Sequence, residues 1–357
     1  MLHALQLLLP AAVVAQAPLP NVRLDPVTNI LLGTVVGILA VAYFVGRALR
    51  RQPESTANPA VIRTLNLRIR AWWMMCVILI AGLWLGPVAT TVLFGLVSFW
   101  ALREFITMTP TRRGDHRTLF WSFIVFAPLQ YVLVALKAYA IYTIMIPVYA
   151  SLFVPARIAI SGDPKRFLER VAKIQAGLLI CVYCLSHAPA ILSLVLTTAP
   201  GGPNAPLWEI RRDAANNPVL GSNASVLFFF VLMVQVNDVF QYMWSQLLGK
   251  HVIAPQINAS RTWEGLIGGT LSTMLAGMLL SWATPFGPYW AGPIAGAVAL
   301  AGFAGSMTMS GIKRDRGVKD YGTLVSGHAG VLDRIDSLCF AAPVFFHLTR
   351  FFFSTMQ

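Results

Sequence analysis

Between Ser310 and Asp336 the chain reads SGIKRDRGVKDYGTLVSGHAGVLDRID, inside a sequence that is otherwise mostly apolar. Asp315, Asp320, Asp333 and Asp336 alternate there with Lys313, Arg314, Arg316, Lys319 and Arg334, and His328 sits among glycines. Interleaved cations and carboxylates suit a site for phosphate and a hard metal ion, because Arg and Lys neutralise phosphate oxygens while Asp holds a divalent cation. Ionisable residues are expensive near a membrane and are kept there for function. A plain solvated loop between helices does not need glycines spaced among so many charges. A second polar run lies upstream: Asn237-Asp238, then Gly249-Lys250, then Ser260-Arg261-Thr262-Trp263-Glu264-Gly265 and Gly268-Gly269. Together the two runs hold six of the fourteen carboxylates: Asp238, Glu264, Asp315, Asp320, Asp333 and Asp336.

The elements that must position these residues are membrane helices. The 357 residues are 57% hydrophobic and 11% charged, whereas soluble domains carry about a quarter charged residues. A spanning helix needs about 20 mainly apolar residues. Ten stretches qualify or nearly so, at roughly 29–46, 71–86, 88–102, 118–136, 138–155, 174–196, 223–244, 264–284, 288–309 and 337–355. The expected fold is an all-α polytopic helix bundle of about ten transmembrane helices, with catalytic cytoplasmic loops near the C-terminus. It divides into an outer N-terminal segment (1–28), N-terminal transmembrane helices (29–222) and a C-terminal catalytic region (223–357).

With the amino terminus outside, 22 of the 27 Lys and Arg residues fall on the inner side, a strong positive-inside signal. That distribution accounts for the net charge of +13 without nucleic acid. It sets both polar runs at the cytoplasmic ends of neighbouring spans in the inner membrane. Cys181-x-x-Cys184 has redox or zinc spacing, but lies mid-span with no second pair and reads as packing, as do Cys76 and Cys339. His187, mid-span beside Pro189, reads as a hydrogen-bonded polar group, and Trp263 as an interfacial aromatic. Gly265, Gly268 and Gly269 suit close helix packing as well as substrate contact. Ala15-Gln16-Ala17 is cleavage-like, but no Lys or Arg precedes the apolar run, so a short outer segment is expected rather than a signal peptide.

The two polar runs resemble the integral-membrane phosphatidate cytidylyltransferases. That family's carboxy-terminal signature runs Ser-x-x-Lys-Arg, four residues, Lys-Asp, a His-Gly-Gly turn and Asp-Arg-x-Asp. Here it is Ser310, Lys313-Arg314, Lys319-Asp320, His328-Ala329-Gly330 and Asp333-Arg334-Ile335-Asp336, with matching spacing. Upstream, Asp238 with Tyr242, Gly249-Lys250 and Arg261-Thr262-Trp263-Glu264-Gly265 also fit the pattern. The likeness covers about 230–345 well, and the first 200 residues resemble the family only as a stack of helices. The chain departs from the pattern at Gly305-Ser306-Met307, where the family has Gly-Asp-Leu and its Asp pairs with the Asp of Asp-Arg-x-Asp to hold metal. This marks a divergent branch.

The resemblance implies transfer of the cytidylyl group of CTP to phosphatidate, with Mg2+ as cofactor and membrane lipid as the surroundings. It implies a catalytic set of Lys313, Arg314, Lys319, Asp320, His328 and Arg334. Ser310, Arg261, Thr262, Glu264 and Lys250 are then substrate contacts, with Glu264 orienting Arg261 or a metal-bound water. Asp333 is the leading metal ligand, with Asp238 and Asp336 beside it. Asp238, Asp320 or Asp336 replaces the missing carboxylate, or Ser306 binds the ion through its hydroxyl or a water, or activity is weak or altered. Two readings stay open: a related cytidylyltransferase with another lipid phosphate as acceptor, and a non-catalytic membrane protein descended from the enzyme. A homodimer is also left open. A transporter fits poorly, because the charges cluster in loops rather than at mid-bilayer.

Overall fold

The computed structural model describes residues 26–49, 59–108, 111–197, 222–318 and 330–354. Ten helices run along them: α1 (Pro26–Leu49), α2 (Pro59–Leu85), α3 (Pro87–Met108), α4 (Arg113–Ala135), α5 (Tyr139–Ala159), α6 (Phe167–Ser193), α7 (Ser222–Leu248), α8 (Trp263–Leu279), α9 (Pro288–Asp315) and α10 (Leu332–Phe353). The outer connection near 198–222 and most of the N-terminal segment lie outside the described residues. Among the described residues, seven helices (α3 to α7, α9 and α10) are long and apolar enough to cross a membrane. The described apolar stretches of α1 and α2, Val27–Val41 and Trp72–Leu85, are shorter, and α8 has 17 residues. The chain is an all-α, multi-pass membrane bundle.

Prolines shape its N-terminal half. Helices α4, α5 and α6 contain Pro128, Pro147 and Pro189, and each has a π-helical stretch at or just before its proline: Ser122–Phe126, Met145–Ala150 and Leu178–Cys184. A proline cannot donate to the carbonyl four residues back, and the wider π turn absorbs the misfit. His187 is fully buried and hydrogen-bonded through one ring nitrogen, with Nδ1 2.9 Å from the Tyr183 carbonyl, while Nε2 is buried without a partner among the described residues. Where α4, α5 and α6 meet near the site end, Arg170 bonds Asp115 (2.8 Å) and the Asp163 carbonyl (2.8 Å). The Lys165 N–H and the Arg112 guanidinium, each 3.1 Å from Asp163, hold that carboxyl below its usual range.

The C-terminal half is sewn together by small residues at one end and aromatics at the other. In lipid there is no hydrophobic drive between helices, so close packing and hydrogen bonds hold them. Phe230 of α7 stacks on Phe345 of α10 at 4.9 Å, and Phe286, just before α9, meets Phe353 of α10 at 4.8 Å, far from the charged loops. Nearer those loops, α8 lies directly on α7 through Gly265, Gly268 and Gly269. A Cβ on Gly269 would stand 2.9 Å from the backbone N and Cα of Gln241. Backbone cannot yield as a side chain can, so Gly269→Ala must push the helices apart. The expected loss is about 1–3 kcal/mol, read as a lower melting temperature of the detergent-solubilised protein. An unchanged melting curve would remove this close approach from the account.

Candidate active site

The charged runs meet because α7 and α9 end, and α8 and α10 begin, at the same end of the bundle. Asn237 fixes the level at which they pack. Its amide donates to the Ala299 carbonyl of α9 (3.2 Å), and its oxygen accepts from Gln241 (3.1 Å) and Thr273 of α8 (3.3 Å). Between α7 and α8 the chain turns through an antiparallel hairpin, β1 (Val252–Ala254) and β2 (Asn258–Thr262). Thr262 ends it as the cap of α8: its hydroxyl accepts the Gly265 N–H at 3.1 Å and donates to Ser245 at 3.1 Å.

The hairpin carries Arg261 into the bundle. Its guanidinium donates to Gln241 Oε1 at 2.6 Å, Asp238 Oδ1 at 3.1 Å and Ser306 Oγ at 2.9 Å. From α10, the Ser337 hydroxyl donates to Asp238 Oδ2 at 2.9 Å and lies 3.3 Å from Asp336 Oδ1. Asp336 also accepts the Ser337 N–H at 2.6 Å. Lys313, at the end of α9, reaches Asp333 at 2.7 Å, with both side chains largely buried. Ser306, Ser310 and Lys313 share a face of α9 at spacings of four and three.

Asp238, Arg261, Asp333 and Asp336 from this network line a cavity of about 270 Å³. Its lining combines the charged Asp238, Arg261, Asp333, Arg334 and Asp336 and the polar Gln235, Asn258 and Ser260 with the apolar and aromatic Trp72, Met75, Val239 and Tyr242. Three carboxylates and two guanidiniums from α7, β2 and α10 therefore face one space. Among the described residues, no three His, Cys, Asp or Glu side chains form a ready-made metal cluster. An ion here would complete its shell with water or phosphate oxygens, as magnesium commonly does.

The other sequence-predicted residues are placed differently. Lys319, Asp320 and His328 lie outside the described residues. Ser310 is buried against Asn258, whose amide donates to it at 3.2 Å. Arg314 donates to the Ile257 carbonyl at 3.1 Å, bracing the hairpin. The structure does not bring Lys250, Thr262 or Glu264 onto the cavity. Thr262 is spent on the helix cap, and Lys250 is exposed. Nor does Glu264 orient Arg261: it accepts the Lys250 N–H (3.2 Å), the His251 N–H (3.2 Å) and the His251 ring (2.6 Å), closing the base of the hairpin. Gln241 and Ser337, which bond Arg261 and Asp238, belong to the site and were not anticipated. Ser337 directly follows the Asp-Arg-x-Asp run, and Gln241 lies one turn beyond Asp238, so helical spacing points to both.

Comparison with known proteins gives the family. The model of the "Cytidylyltransferase family" matches residues 66–352, so the likeness extends into the N-terminal helices as well as the charged runs. "Uncharacterized protein YnbB" of Escherichia coli is 33% identical over 325 residues, covering 90% of this chain and 97% of that protein. Phosphatidate cytidylyltransferase of Mycobacterium leprae is 36% identical over 161 residues, 39% of this chain and 50% of its own. The Staphylococcus saprophyticus enzyme of the same name is 35% identical over 121 residues, 33% of this chain and 46% of its own. The match thus spans about half the length of these two phosphatidate cytidylyltransferases. The chain belongs to the cytidylyltransferase family and is a nucleotidyltransferase built on a membrane helix bundle.

Proposed function

We propose that the protein transfers the cytidylyl group of CTP to a lipid phosphate, with phosphatidate as acceptor, giving CDP-diacylglycerol and pyrophosphate for phospholipid synthesis. The observation that carries this reading is the cavity whose lining joins three carboxylates and two guanidiniums to apolar and aromatic side chains. Its 270 Å³ suits reacting phosphates rather than a whole nucleotide with a lipid. The charged end faces the cytoplasm of the inner membrane in this reading, where CTP is available.

The reaction needs little covalent help. An acceptor phosphate oxygen forms a bond to the α-phosphorus, and the bond from that phosphorus to the bridging oxygen of the β-phosphate breaks. The nucleophile is already anionic, so no strong general base is required. Two polyanions must still be brought together, and Arg261, Arg334 and Lys313 supply the positive charge that offsets their repulsion. The donor chemistry fits magnesium: Asp238 and Asp336 offer hard oxygens either side of the Ser337 hydroxyl on the cavity wall. Magnesium, when bound, would neutralise charge on the triphosphate and the leaving pyrophosphate. Asp333 holds Lys313, and Arg261 holds Asp238, so each of these cavity-lining carboxylates has a cation beside it.

One feature supports a second acceptor. Ser306 stands where the family pattern has an aspartate, and the Arg261 guanidinium bonds it directly. A site with one carboxylate fewer and an immobilised guanidinium suits a different lipid phosphate. The test is purified protein with α-labelled CTP, magnesium and a panel of lipid phosphates. A labelled CDP-lipid is the expected product, and the best acceptor separates the two readings. No labelled lipid from any acceptor would favour the non-catalytic descendant and overturn the proposal.

A further inference from the structure

Glu104 is 4% exposed near the end of α3, a mostly apolar helix of the N-terminal half. Its carboxylate grips the start of α10: Oε1 accepts the Val331 N–H at 3.1 Å, and Oε2 accepts the Leu332 N–H at 2.8 Å. Helix N-termini leave several N–H groups without intrahelical partners and carry partial positive charge, so a carboxylate is well suited there. The helix it grips carries Asp333 in its first turn, then Asp336 and Ser337.

We propose that Glu104 is a positioning residue for the nucleotidyl-transfer site. It fixes the first turn of α10, and so sets where Asp333 meets Lys313 and where Asp336 stands beside Asp238. A second consequence concerns phosphate. A helix N-terminus is a natural phosphate site, but these two donors are already filled by a carboxylate of the protein. Substrate phosphate is then met by the side chains of Arg261, Arg334 and Lys313, with these two N–H groups already taken.

The turnover arm of the test rests on the cytidylyl-transfer reading; the exchange arm does not. In Glu104→Gln the size is kept, one oxygen still accepts, and the new amide N–H₂ confronts the second backbone N–H. Hydrogen–deuterium exchange of the wild-type protein and this variant should show the Val331 and Leu332 amides exchanging roughly tenfold to a hundredfold faster, with peptides from the rest of α10 unchanged. The kcat for CDP-lipid formation should fall about tenfold or more while the KM for CTP moves less than about threefold. Glu104→Asp, which keeps the charge, should recover part of the loss. Unchanged exchange at 331–332 would overturn the proposal, and so would altered exchange with unchanged kcat. Faster exchange throughout α10 with a collapsed melting transition would make Glu104 merely structural. If the wild-type protein forms no CDP-lipid, the functional reading fails, and exchange at 331–332 still decides whether Glu104 holds the turn.

Discussion

Asp333→Ala should lower CDP-lipid formation on the order of a thousandfold, the scale seen when a preorganised charged contact is removed from a reacting centre. The side chain is 8% exposed, accepts from Lys313 at 2.7 Å and lines the cavity beside Arg334 and Asp336. Deleting it does two things at once. It removes a carboxylate from the wall that faces the triphosphate, and it strips Lys313 of the anion that holds its ammonium in place. Breaking a buried pair by removing one partner costs about 3–5 kcal/mol, so the alanine variant alone would confuse catalysis with folding. Asp333→Asn resolves this, because the carboxamide keeps the shape and an acceptor for Lys313 but loses the charge. Initial rates and melting curves of both variants are the measurements. Lost turnover with a near-normal melting temperature in Asp333→Asn is the expected result; full turnover in either variant would remove Asp333 from the mechanism.

Arg261→Lys should lower kcat/KM on the order of a hundredfold although the charge is kept. One planar guanidinium reaches Gln241, Asp238 and Ser306 together, on two helices, and a single ammonium cannot span all three. Arg261→Ala should do more. Asp238 and Asp336 both lie within hydrogen-bonding reach of the Ser337 hydroxyl, and without the guanidinium on Asp238 the repulsion between these neighbouring carboxylates is no longer offset. A destabilisation of about 2–5 kcal/mol is expected for the alanine variant. Ser306→Ala is the control, since it removes one neutral acceptor and should cost about 1 kcal/mol or less. Rates from the lysine variant equal to wild type would show that charge alone, not the three-way geometry, is what the site needs.

The fold class was legible because apolar runs and the one-sided placement of Lys and Arg are composition signals, independent of tertiary detail. Element ends were less legible. Helix α2 begins at Pro59 and α3 continues to Met108, beyond the apolar windows, because Arg and Glu are good helix formers and extend a helix past the greasy stretch. In the site, Asp238, Arg261, Asp333, Arg334 and Asp336 were legible from type and spacing, and they line one cavity. The family resemblance implies substrate contacts at Thr262 and Glu264, which belong to the Arg261–Gly265 motif. Their position at a helix start, where hydroxyl and carboxylate side chains satisfy free N–H groups, points instead to capping and hairpin closure. Glu104 was not legible at all. Its partners are backbone N–H groups 227 and 228 residues away, and no local pattern announces such a contact.

The central claim is that the charged lining of the cavity performs cytidylyl transfer to a lipid phosphate. The most direct measurement is label transfer from α-labelled CTP into lipid by the purified protein with magnesium and phosphatidate, run beside Asp333→Asn of matched fold. Labelled CDP-diacylglycerol is expected from the wild-type protein and almost none from the variant. Equal label in both, with the variant properly folded, would contradict it.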